Sequence, residues 1–210
     1  MSPEFYPLIE RRIACLRDEH SNQLLTSGAE ALATIQIQRK ATISEGMEFL
    51  LLRTSEALSN YIANVRQEVI ATIAATNSTL SPKDASALLE LTMRYFPDAI
   101  YTERFSLFLD SINRHYSRAG INIDLLPYRP DLFAARQTAG CSTTISRFRS
   151  SFADDLQIII QRQQNQSSSI LPKSGGRLEV ANKVIKLEPN FMGIGINFNY
   201  LIRRLFSKKE

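Results

Sequence analysis

Apolar residues recur every three or four positions along most of the first 165 residues, a period that predicts helices and little strand. The first helix is expected from about Glu4 to Thr26, with Phe5, Leu8/Ile9, Ile13, Leu16 and His20 on one face. Ser27-Gly28 then supplies a stop, because glycine adopts the left-handed conformation of a helix C-terminus cheaply. A second helical tract covers about Ala29 to Ala75. Its stripe is Met47, Leu51, Leu58, Ile62, Val65, Val69 and Ile73, flanked by Leu50, Thr54 and Tyr61. Thr42 and Glu45 have the spacing of an internal capping box, and Gly46 weakens the helix by about 1 kcal/mol, which together favour a break at 42–46. Unbroken, about 47 residues at 1.5 Å each would make a rod of roughly 70 Å. That is longer than a compact domain needs, and an elongated bundle or an oligomerising arm would account for it.

Ser81-Pro82-Lys83-Asp84 is the clearest punctuation in the chain. Serine caps, proline takes the first helical position, and aspartate meets the positive end of the helix dipole. The helix opened there carries Leu88, Leu89, Leu91 and Tyr95 and ends before Pro97. Asp98 can cap the next, whose stripe is Tyr101, Phe105, Phe108/Leu109, Ile112, Tyr116 and Ala119, closed by Gly120. Residues 121–133, with Pro127 and Pro130, read as an irregular crossover packed through Leu125, Leu126 and Phe133. A last long helix spans at least Cys141 to Gln164, with a start as early as Pro130 and a stripe of Ile145, Phe148, Phe152, Leu156 and Ile159/Ile160.

Beyond it the pattern changes. Gln161–Ser169 is rich in Gln and Ser, and Pro172 and Ser174-Gly175-Gly176 follow, a linker signature placed at 166–177. Residues 178–210 are expected to form a small ββα unit: strands at 178–180 and 184–187, a turn at Ala181-Asn182-Lys183, and a helix from Phe198 to Phe206 capped by Asn197. The predicted fold is therefore mainly α: an elongated helical bundle of five to six helices over 1–165, with a small C-terminal ββα appendage too small to be stable alone.

Composition narrows the class. With 44% hydrophobic residues and two cysteines in 210, the chain is too apolar for wholesale disorder and too poor in cysteine for a disulfide scaffold. The N-terminus lacks a secretory pattern, and the longest uncharged runs, 69–82 and 189–202, are too short to span a bilayer. Cys15 and Cys141 have no metal-ligand spacing, so a cytoplasmic chain with two buried or idle thiols is expected. Charge is asymmetric. Residues 1–110 hold 10 basic against 14 acidic groups, and residues 111–210 hold 15 against 7. Either the halves attract each other, or the second half meets an anionic partner.

The inventory for catalysis is thin: two histidines, and no HExxH, CxxC or calcium-loop motif. Ser111 and His115, four apart on a helix, could pair as nucleophile and base, but Asp110 points away and no other carboxylate is placed to orient the imidazole. Asp154-Asp155 diverge on a helix, and Glu45 and Glu48 are ordinary surface charges. Gly193-Ile194-Gly195 lacks the third glycine of a dinucleotide loop (Phe198 stands there) and the Lys-Ser/Thr of a phosphate loop. No cofactor or metal is expected. The most suggestive segment is Phe191 to Lys209, where Phe191, Met192, Gly193, Gly195 and Tyr200 precede Arg203, Arg204, Lys208 and Lys209. These residues are read as partner-binding. The expected function is a non-enzymatic helical interaction or scaffold protein that forms homo-oligomers through its long helices, coiled-coil fashion, and docks a protein partner through its basic C-terminus. The alternative is binding of nucleic acid or an anionic membrane surface by the basic second half.

Overall fold

The computed structural model describes residues 5–76, 79–97 and 99–168. They form α1 (Phe5–Ala33), α2 (Thr42–Ala75), α3 (Pro82–Met93), α4 (Ala99–Arg118), a single 3₁₀ turn at Leu126–Tyr128, and α5 (Pro130–Ser168). No strand occurs among the described residues. The five-helix bundle agrees with the helical periods. The ββα unit, and the linker after Ser168, lie outside the described residues, as do Asp98 and its proposed cap.

Two expectations about the first 75 residues fail. α1 runs through Ser27-Gly28 and ends at Ala33. Burial outweighs the local stop: Leu24, Ser27 and Ala31 continue the stripe begun by Phe5, Ile9, Ile13 and His20, and the Ser27 hydroxyl donates to the Gln23 carbonyl (2.8 Å) inside the helix. The break falls at 34–41 instead of 42–46, so no 47-residue rod exists. The Thr42–Glu45 capping box does not form, because Thr42 is already helical and its hydroxyl closes the preceding loop, accepting from Gln36 N (2.9 Å) and donating to the Arg39 carbonyl (2.8 Å). α1 and α2 then pack as an antiparallel hairpin, pinned by His20 against Tyr61 near the middle and by the Arg12–Glu68 ion pair further out. Gly46 serves this packing. A Cβ there would stand 2.8 Å from Ile35 Cγ1 and 3.0 Å from the Ala31 carbonyl oxygen.

Elsewhere the punctuation holds. Ser81 caps α3 with a reciprocal box: its hydroxyl accepts from Asp84 N, and the Asp84 carboxylate accepts from Ser81 N. α4 buries Tyr101, Phe105, Phe108, Ile112 and Tyr116, and Gly120 (φ 73°) ends it, although Ala119 is exposed. α5 starts at Pro130, the earlier of the two expected positions. In the crossover, Leu125 and Phe133 pack inward, but Leu126 is 77% exposed rather than a packing residue.

The apolar core falls into two groups. One joins Phe5, Ile9, Ile13 and Leu24 of α1 to Leu58, Val65, Val69 and Ile73 of α2, to α3, and to Ile145, Phe148, Phe152 and Leu156 of α5. The other joins Ala31, Ile35, Ile43, Met47 and Leu50 to Phe105, Phe108, Ile112 and Tyr116 of α4. Along α1, α2 and α5 a buried polar residue falls between the two groups: Ser27, Thr54 and Gln137 respectively. Gln137 Nε2 donates to the Tyr101 carbonyl of α4 at that level, while Thr54 Oγ1 and Gln137 Oε1 have no hydrogen-bond partner among the described residues.

Candidate functional site

The residues read from sequence as partner-binding, Phe191, Met192, Gly193, Gly195, Tyr200, Arg203, Arg204, Lys208 and Lys209, all lie outside the described residues. The weaker candidates are placed. Ser111 Oγ donates to the Leu107 carbonyl (2.8 Å) and sits 3.4 Å from Arg114, while His115 meets the edge of Tyr116, so the two do not form a nucleophile–base pair. Asp154 is exposed, and Asp155 pairs with Arg66 of α2. Glu48 pairs with Arg136 of α5 (2.6 Å), and Glu45 is exposed. Cys15 is exposed and Cys141 is buried. Among the described residues no three His, Cys, Asp or Glu side chains converge as a metal ion would require.

Two stacked, buried side chains titrate far from their ordinary values, His20 and Tyr61, and sequence periodicity placed His20 on the first stripe without a role. His20 is 3% exposed, its ring lies flat on Tyr61 (centroids 4.6 Å apart, 5° between planes), and its Nε2 is 3.1 Å from the Tyr101 hydroxyl. Burial pulls its pKa down to about 4, partly opposed by the backbone of Ala57. Tyr61 is pushed up by the same burial and donates to the Tyr95 carbonyl (3.0 Å). Phe96 packs on Tyr61, Phe148 on Phe96, and Phe152 on Phe148, with centroid separations of 4.6, 5.1 and 5.3 Å. A neutral imidazole sealed among aromatic rings holds α1, α2 and α4 together. It has no exposed edge from which to move a proton to a substrate.

One concavity of about 490 Å³ opens between α2 and α5 at the level of the buried polar residues. Leu51, Ser55 and Leu58 line one side, and Arg136, Gln137, Gly140, Cys141, Thr144 and Arg147 the other. Its cause lies in a run of small residues at 138–144 of α5, TAGCSTT, of which Ala139, Gly140, Cys141, Thr143 and Thr144 line the cleft with Ser55 of α2. Small side chains leave the space between the two helices unfilled. The cleft holds no carboxylate and no histidine, so it offers surface and two arginines, of which Arg136 is held by Glu48, rather than an acid–base pair.

Compared with protein-family models, with curated proteins and with solved structures, the chain finds no significant match. No helix among the described residues is long and apolar enough to cross a membrane.

Proposed function

We propose that this is a non-enzymatic interaction protein, in which a helical body carries a basic C-terminal segment that docks an acidic protein partner. The observation that supports the reading is the division of charge. Residues 5–168 carry 17 basic and 17 acidic groups, whereas residues 169–210 carry eight basic against three acidic. The excess positive charge of the chain therefore resides in the segment that also holds Phe191, Tyr200, Arg203, Arg204, Lys208 and Lys209.

Self-association through the long helices would have to use what the bundle leaves at its surface. Of the predicted stripe, Met47, Leu58, Val65, Val69 and Ile73 are buried within the chain's own bundle, and Leu51 and Ile62 are half-buried. Co-purification with the full chain, compared with the same chain carrying Arg203→Glu and Arg204→Glu, tests the proposal. Proteins with acidic surfaces should be retained at low salt, released at high salt, and lost with the double variant. An unchanged set of partners would refute it. Retention of nucleic acid with a steep salt dependence would replace it with the alternative reading.

A further inference from the structure

At the end of the bundle where α4 crosses to α5, apolar residues divide sharply between inside and outside. Ile121, Ile123, Leu125, Tyr128 and Phe133 pack against the second core group, whereas Leu126 is 77% exposed, Pro127 beside it is exposed, and Leu132 is 40% exposed. The turn that presents Leu126 closes on Arg129, whose N–H donates to the Leu126 carbonyl (3.0 Å) and whose backbone is left-handed (φ 50°). That conformation is unfavourable for a side chain with a Cβ, and such outliers concentrate where a loop is held in a working shape.

A single exposed leucine is unremarkable on most surfaces. Here its surroundings are basic. Arg129 shares its turn, and Arg114 and Arg118 lie near the end of α4. Arg39 and Lys40 lie on the α1–α2 connection, which the Tyr116 hydroxyl ties to the same end through the Gln36 carbonyl (3.3 Å). All five are exposed, and among the described residues none forms an ion pair. The carboxylates at this end are Glu45, Asp110 (one turn from Arg114), Asp124 and Asp131, and Asp124 already accepts from Leu126 N (3.0 Å).

We propose that this end of the helical body is a contact for an anionic membrane surface. Leu126 and Pro127 enter the boundary between headgroups and acyl chains, and Arg39, Lys40, Arg114, Arg118 and Arg129 meet the lipid phosphates. An apolar tip with exposed, unpaired cations at the same end of the bundle matches an interface that is anionic at its surface and apolar beneath. A nucleic acid offers the charge without the apolar layer. The contact lies on the surface and does not span, and it belongs to the body rather than to residues 169–210.

The chain has no tryptophan, so Leu126→Trp in the full-length protein gives a single reporter at the tip. Vesicles of phosphatidylserine and phosphatidylcholine should shift its emission to the blue and sediment the protein, with the effect weakening as salt rises, and phosphatidylcholine alone should do neither. Leu126→Glu should reduce vesicle binding about tenfold or more, at an unchanged melting temperature because the site is exposed. Arg203→Glu/Arg204→Glu should leave the blue shift in place, which separates this contact from the C-terminal segment. Absence of vesicle binding overturns the proposal. So does vesicle binding with no shift at position 126, or a shift that RNA produces as well as lipid.

Discussion

Three glycines lie inside helices, Gly28 in α1, Gly46 in α2 and Gly140 in α5, and helix propensity alone treats them alike. Replacing glycine by alanine in a helix interior is favourable by about 0.5–1 kcal/mol. At Gly28 and Gly140 an added Cβ meets nothing within 4 Å, so that gain should appear in full. At Gly46 it would stand 2.8 Å from Cγ1 and 3.0 Å from Cδ1 of Ile35, and 3.0 Å from the Ala31 carbonyl oxygen. Ile35 is 4% exposed and Ala31 fully buried, so neither gives way without moving the end of α1. Overpacking of this kind costs about 1–3 kcal/mol, which leaves Gly46→Ala destabilised by about 1 kcal/mol after the propensity gain. The difference between Gly46→Ala and Gly28→Ala is then about 2 kcal/mol, or about 4–8 °C in melting temperature for a chain of this size. Thermal and urea unfolding of the three single variants reads it directly. If Gly46→Ala rises in stability together with Gly28→Ala and Gly140→Ala, the close approach of α1 and α2 at that point is wrong.

Acid should weaken the protein through His20. Its folded pKa of about 4 lies below the ordinary value of 6.5, so between these values the unfolded chain binds the proton first. This contribution is complete above pH 6.5, falls as pH drops towards 4, and amounts to about 3 kcal/mol at most. Urea unfolding followed across that window should lose part of its slope in His20→Gln, and an unchanged slope would remove the histidine from the account. Ser81→Ala should cost about 1 kcal/mol by opening the α3 cap. The Ser81 hydroxyl is also the main influence holding Asp84 below the usual carboxylate range, so an NMR titration of Asp84 should move upward in the same variant.

The elements that sequence located well are those where a local signal and the core agree. Ser81-Pro82-Lys83-Asp84 marks a helix start whichever way the helix packs, and the α4 stripe from Tyr101 to Tyr116 is buried as its spacing implied. The failures are places where tertiary contact reverses a local preference. Ser27-Gly28 reads as a stop, but Ala31 beyond it is needed against α2, so the helix continues. Thr42 and Glu45 have capping spacing, yet the Thr42 hydroxyl is worth more to the loop that turns α1 onto α2. The candidate surfaces were not legible for a related reason. A run such as TAGCSTT becomes a cleft only once its neighbour is known, and Leu126 is hard to tell from Leu125 until the turn around Arg129 sends one inward and the other outward. Their sequence signatures, seven small residues within a long helix and a leucine pair before proline, are weak without the fold.

The layer of Ser27, Thr54 and Gln137 separates two regions of different neighbours, but it does not divide the molecule mechanically. α1, α2, α4 and α5 each run from one apolar group into the other without interruption, and only α3 belongs to one side. Melting one half while sparing the other would sever four helices mid-run, and each remnant would end in frayed carbonyls or amides that the intact helix had satisfied. Covalent continuity thus couples the halves more tightly than side-chain contact across the boundary does, and residues 5–168 should come apart in a single concerted step.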